Sequence, residues 1–140
     1  MKKEYADPRR LLILADGGGG NGVRCRAWKM FLQTRLADRY KLPITVCHYP
    51  PGTSKWNPIE HRLFSEISKN WKGKPLDSFD TVVNYIRTTT TATGLRVRAH
   101  LVKKEYMKGI KIPDAQFSTL SIERHVTHPQ WNYTLSPREM

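Results

Sequence analysis

Two acids in this 140-residue chain stand where a metal or a phosphate could be handled, Asp16 and Glu60. Asp16 follows the apolar run Leu11-Leu12-Ile13-Leu14-Ala15 and precedes Gly17-Gly18-Gly19-Gly20-Asn21-Gly22. The C-terminal end of a buried strand is where open α/β sheets place their ligands. Apolar neighbours desolvate a carboxylate at such a position, and a divalent cation compensates that cost. The alternative is an aspartate that organises the glycine turn through bonds to its own backbone. Local context leaves both readings open.

Glu60 lies in Asn57-Pro58-Ile59-Glu60, where Asn is a good helix cap and Pro suits the first turn. That register puts Glu60 at the third helical position, from which it can close a capping box on the Asn57 backbone. On the same first turn it can instead point at the metal site that Asp16 would serve. One carboxylate cannot fill both roles at full strength.

Other reactive residues carry weaker signals. The glycine cluster is like a phosphate cradle, but no Lys-Ser or Lys-Thr follows it and no dinucleotide-binding glycine register is present. A loop against DNA backbone, or simply a turn, fits better. His48 and His61 flank the candidate site and either position water or phosphate or are ordinary surface histidines. Cys25 and Cys47 read as small, half-buried residues in a reducing compartment. A zinc site from Cys25, Cys47, His48 and His61 has a spacing unlike any closed structural motif.

The elements that must position these residues follow from pattern. Residues 11–15 read as a buried strand ending at a turn. Residues 23–40 read as a helix whose apolar stripe takes Trp28, Phe31, Leu32, Leu36, Ala37 and Tyr40. After Pro43, Ile44-Thr45-Val46-Cys47-His48 is a β-prone strand, and a rigid Pro50-Pro51-Gly52 loop leads to the helix opening at Asn57-Pro58. Ile59, Leu63, Phe64 and Ile67 are expected on that helix's buried side. Strand, helix, strand, helix predicts an α/β fold with a largely parallel sheet.

Further on, Asp77 or Ser78 can cap a helix through Phe79, Val82, Val83 and Ile86, ended by the threonines Thr88 to Thr91. Residues 95–101 alternate and read as a strand with one wet, basic face. Residues 110–112 and 131–135 are shorter strand candidates, and Pro113-Asp114 opens a short helix towards Leu120.

Composition narrows the partners. Lys and Arg number 24 against 12 acids, a net charge of +12. Cations dispersed through folded segments in such excess point to a polyanion, with nucleic acid ahead of ribosomal or membrane-surface roles. No stretch approaches the ~20 apolar residues of a membrane span, and the first residues lack the apolar run of a signal peptide. A cytoplasmic protein with no membrane partner is expected.

Two longer segments resemble a known family. Residues 12–22, Leu-Ile-Leu-Ala-Asp-Gly-Gly-Gly-Gly-Asn-Gly, resemble the second-aspartate strand of insertion-sequence DDE transposases of the Rhodopirellula type. Residues 42–64, with the core Pro-Gly-Thr-Ser-Lys-Trp-Asn-Pro-Ile-Glu-His, are similar to that family's glutamate segment, and Asn-Pro-Ile-Glu is also like the last motif of mariner-like transposases. Residues 89–95 and 131–134 match the same family, so the resemblance covers nearly the whole chain.

The resemblance implies a ribonuclease-H-like catalytic core with an Asp, Asp, Glu triad binding two Mg²⁺ ions, Mn²⁺ being a substitute. Asp16 would be the second acid and Glu60 the third. The first should lie on an earlier strand of the sheet; Asp7, just before Pro8 and the Asp16 strand, cannot supply it. The chain is thus expected to be the C-terminal part of such a core (residues 1–75) with an α+β extension (76–140), and Met1 reads as an internal start or a frameshift scar. An exposed sheet edge is expected where the missing strands should pair. The implied function is metal-dependent DNA strand cleavage and strand transfer, inactive without the first Asp. The alternative is a non-catalytic fragment that binds DNA or the transposase. Arg24, Arg26, Lys55 and Arg62 lie near the two acids and are candidates to hold the DNA backbone. Partners would be element ends and target DNA, full-length transposase or further copies of this chain.

Overall fold

The computed structural model describes residues 7–139. It divides into two units: one takes the chain up to Ser54 and again from Lys108, the other spans Lys55–Met107.

The first unit is a four-stranded sheet in the order β1-β2-β4-β3, formed by β1 (Leu11–Asp16), β2 (Ile44–Tyr49), β3 (Ile122–Arg124) and β4 (Asn132–Leu135). β1 and β2 are parallel, with Leu11 opposite Ile44 and Asp16 opposite Tyr49. β4 then pairs antiparallel to β2 and β3 antiparallel to β4. The sheet is therefore mixed, not largely parallel. The third and fourth strands are joined by residues 125–131, too short a link for a parallel crossover, so the chain returns antiparallel. β1 is an edge strand, and its Leu12 is 60% exposed.

Between β1 and β2 runs a helical segment: α1 (Arg26–Leu32), a π-helical stretch Gln33–Ala37, and the short α2 (Asp38–Tyr40). The helix expected from residue 23 starts at Arg26, because the Val23 and Cys25 N–H groups bond to the Gly17 and Gly22 carbonyls and belong to the preceding turn. The π stretch marks an anchor. Gln33, fully buried, donates to the Asp38 carboxylate and the Ser136 carbonyl at 2.8 Å each and accepts from the Ser121 N–H at 2.9 Å. Those bonds favour a widened turn at this point. Lys41 ends the segment in the left-handed region at φ 51°.

The core collects Leu32, Ala37, Ile44, Val46, Tyr133 and Leu135, with Leu11, Ile13, Trp28, Leu36 and Ile122 packed around them. Each large apolar side chain buried there contributes roughly 1.5–3 kcal/mol relative to exposure. Of the expected helical stripe, Leu32 and Ala37 are fully buried, whereas Tyr40 is 40% exposed. α5 (Asp114–Phe117) is a single turn opened by Pro113, continued only by a turn to Leu120.

The second unit holds α3 (Pro58–Trp71) and α4 (Phe79–Arg87). Asn57 caps α3 by accepting from the Ile59 N–H at 3.2 Å, and Ser78 caps α4 by accepting from Thr81 at 3.1 Å. Asn70 ties the two helices together through the Tyr85 carbonyl at 2.6 Å. Of the apolar side expected on α3, Ile67 is buried, but Ile59 and Phe64 are exposed, as is Phe79 on α4. Residues 95–101 alternate between half-buried and exposed, yet form no strand. The Ala99 carbonyl accepts from the Arg87 side chain at 2.7 Å instead of from a neighbouring strand. Residues 110–112, in the first unit, are likewise not a strand. Among the described residues no helix is long and apolar enough to cross a membrane.

Candidate functional site

Asp16 is the last residue of β1 and is exposed. It lines a cleft of about 400 Å³ with Gly17, Gly18, Gly19, Pro50, Pro51 and Gly52, so the end of β1 and the loop after β2 form its two walls. Gly17 has no room for a side chain: a Cβ there would meet the Tyr49 carbonyl at 2.7 Å. Gly22 is as constrained, its Cβ position lying 2.9 Å from the Gly17 carbonyl. The turn is closed by backbone bonds, Gly22 to Gly19 at 3.1 Å and Val23 to Gly17 at 3.2 Å. Among the described residues the Asp16 carboxylate takes no hydrogen bond and no ion pair, so it does not organise that turn.

A buried polar chain lies behind Asp16. His48 on β2 is 5% exposed; its Nδ1 lies 2.9 Å from the Asp16 carbonyl oxygen and its Nε2 2.9 Å from the Tyr133 hydroxyl on β4. Burial lowers the His48 pKa below its ordinary value and pushes the Tyr133 hydroxyl up to about 12. The Lys29 ammonium, also buried, donates to the Val23 carbonyl and sits 5.2 Å from the centre of the Tyr133 ring. Desolvation, and then the nearby Arg124 cation, lower its pKa. This chain draws on residues up to 104 positions apart and has no local sequence signal; His48 alone stood out beforehand.

Glu60 lies half-buried on the first turn of α3, in the second unit. Asn57 supplies its own half of the cap, but Glu60 does not reach back to the Asn57 N–H, and its carboxylate has no partner among the described residues. The capping box is therefore not closed. His61 is exposed on the same turn.

The candidate cations differ in availability. Arg24 is exposed and lines a second cleft of about 560 Å³ with Val23, Arg124, Pro129, Gln130 and Trp131. Arg124, which sequence reasoning missed, donates one bond to the Pro129 carbonyl at 3.1 Å and keeps further donors for an anion. Arg26 is occupied: its guanidinium holds Asp114 and the Ile112 carbonyl and lies 4.8 Å from the centre of the Phe117 ring. Lys55 and Arg62 are exposed in the second unit.

A hard divalent cation needs oxygen ligands, and carboxylates are its usual protein donors. The Asp16 carboxylate, without a partner among the described residues and at a cleft walled by glycine and proline, suits that chemistry. Among the described residues no three metal-ligating side chains cluster. Cys25 and Cys47 are free thiols, half-buried, and burial raises the Cys47 pKa; a thiol so shifted is a poor zinc ligand.

Compared with known proteins, residues 1–137 match a family described as the Rhodopirellula transposase DDE domain. No curated protein and no solved structure gives a significant match.

Proposed function

Because the chain belongs to the Rhodopirellula transposase DDE domain family, we propose that it forms part of the catalytic core of a DNA transposase, with Asp16 and Glu60 as two of its carboxylate metal ligands. The observation that carries the reading is the Asp16 carboxylate at the C-terminal end of β1, lining the cleft and without a partner among the described residues. The unclosed capping box supports Glu60 in the same role, since its carboxylate is not committed to the helix cap. A ribonuclease-H-like core is consistent with β1 parallel to β2 and a helix between them. Residues 76–140 extend the same domain in this reading, supported by the addition of β3 and β4 to the β1–β2 sheet.

Asp16 and Glu60 would hold Mg²⁺, with Mn²⁺ as a substitute. Bound there, such a cation supplies charge stabilisation at the scissile phosphate and activates the attacking hydroxyl. The chain's own residues bind and orient. Gly17 and its neighbours let a DNA strand come close to Asp16, because no side chain stands in the way. Arg24, Lys55 and Arg62 neutralise backbone phosphates, and Arg26 joins them only by releasing Asp114.

The test is DNA strand cleavage by the transposase that carries this domain, with Asp16→Asn and Glu60→Gln made separately. Loss of cleavage in both supports the assignment; retention in either removes that residue from the site.

A second reading rests on the +12 charge. In it the chain is a non-catalytic module that sits on element ends or target DNA, or on full-length transposase or its own copies. Metal-independent DNA binding without cleavage in the full transposase favours it.

A further inference from the structure

The buried chain behind Asp16 is not used by the metal-binding reading. A carbonyl oxygen only accepts, so the 2.9 Å contact from His48 Nδ1 to the Asp16 carbonyl puts the hydrogen on Nδ1. The imidazole is 5% exposed and bonds to no carboxylate among the described residues; with Nδ1 donating, a neutral ring leaves Nε2 as the acceptor. The Tyr133 hydroxyl, 2.9 Å away and itself wholly buried, therefore donates to Nε2. Three strands are thereby linked in one direction, from β4 through β2 to the last peptide of β1.

That peptide needs such a tie. Four glycines follow Asp16, so the backbone beyond it has no side chains to pack. A metal ligand is effective only if its orientation is fixed, and partners one shell out supply that orientation. We propose that His48 and Tyr133 are positioning residues for Asp16: Tyr133 holds the imidazole in its Nδ1–H tautomer, and the imidazole holds the Asp16 peptide so that its carboxylate faces the cleft. The inference rests on the reading of Asp16 as a metal ligand.

Two measurements on the full chain test it. In ¹⁵N NMR of the wild-type imidazoles, His48 should show a protonated Nδ1 and a bare Nε2, the tautomer less favoured in free histidine. Manganese titration followed by electron paramagnetic resonance should show binding that Asp16→Asn abolishes. Tyr133→Phe and His48→Leu should each weaken it by roughly 10–100-fold. His48→Asn, whose amide can still donate to the Asp16 carbonyl, should restore affinity to within about threefold of wild type, on the premise that this one donor carries the effect. A merely structural role predicts no such rescue. His48 with its hydrogen on Nε2 overturns the proposal whatever the variants do. Manganese binding that depends on Asp16 but ignores both Tyr133→Phe and His48→Leu overturns the positioning role alone. If wild type binds no manganese through Asp16, the metal-ligand reading fails and this one falls with it.

Discussion

Arg138 closes on Asp38 across 100 residues of sequence, its Nη2 2.7 Å and its Nε 3.0 Å from Asp38 Oδ2, while its backbone N–H donates to Oδ1 at 2.8 Å. The Asp38 side chain is 4% exposed and that of Arg138 25%. The pair fastens the segment leaving β4 to the end of the helical segment and, with Gln33, forms the polar anchor at the π stretch. Removing one partner strands the other, so Arg138→Leu should destabilise the fold by roughly 3 kcal/mol in urea unfolding. A change below about 1 kcal/mol, the surface-pair range, would show the anchor to be dispensable.

The same pair sets an acid limit. Burial alone would raise the Asp38 pKa, but the bonds from Arg138 and Gln33 outweigh it and hold the carboxyl below its ordinary 3.8. A carboxyl depressed in the folded state contributes stability that is present above the unfolded value and is lost as pH falls through the folded one. Stability measured between pH 6 and pH 2 should therefore drop below pH 4, and Asp38→Asn should make that drop shallower. An unchanged slope would assign the acid limit to other carboxyls.

DNA affinity should fall steeply with salt, because a chain of net charge +12 binds phosphates by releasing counterions. Arg24→Ala and Arg124→Ala should each reduce the slope of log K against log salt by about 1. Arg26→Ala should leave the slope unchanged, since that guanidinium is held by Asp114, and should cost under about 1 kcal/mol of stability because the pair is exposed. Equal effects of Arg24 and Arg26 on the slope would show that Arg26 releases Asp114 on DNA.

At the head of α3, Asn57→Ala should cost about 1 kcal/mol by deleting the bond to the Ile59 N–H. Glu60→Ala should cost less than that, since Glu60 makes no capping bond and offers only a first-turn charge to the helix dipole, roughly 0.3–1 kcal/mol. Equal costs in thermal unfolding would restore the capping box.

Much of this architecture was legible in the sequence wherever the signal was local. The apolar run ending at Asp16, the β-prone stretch after Pro43, the Asn57-Pro58 helix start and the Ser78 cap all stand where composition placed them. What failed depended on partners. Residues 95–101 alternate as a strand should, but a strand also needs a neighbour, and period alone does not supply one. Ile59 and Phe64 were expected on a buried side and are exposed, as is Phe79, because an apolar face says nothing of what covers it. The mixed sheet came from β4 pairing antiparallel with β2, a direction no local pattern states, and the three-residue β3 beside it was too short to announce itself. Asp16 and Glu60 stand out in the sequence through their flanking motifs. The bond between Tyr133 and His48 does not, because the two residues lie 85 positions apart.

The most direct test of the central claim is metal-dependent cleavage of DNA by the transposase containing this domain, comparing wild type with Asp16→Asn and Glu60→Gln at matched folding stability. If both carboxylates bind the cation, each substitution should lower the cleavage rate by about a hundredfold or more, because a first ligand matters at least as much as the partners that orient it. Cleavage within about threefold of wild type, a difference of under 1 kcal/mol in the barrier, would contradict the account. Asp16 would then be a surface acid beside a glycine turn and Glu60 a helix-head charge.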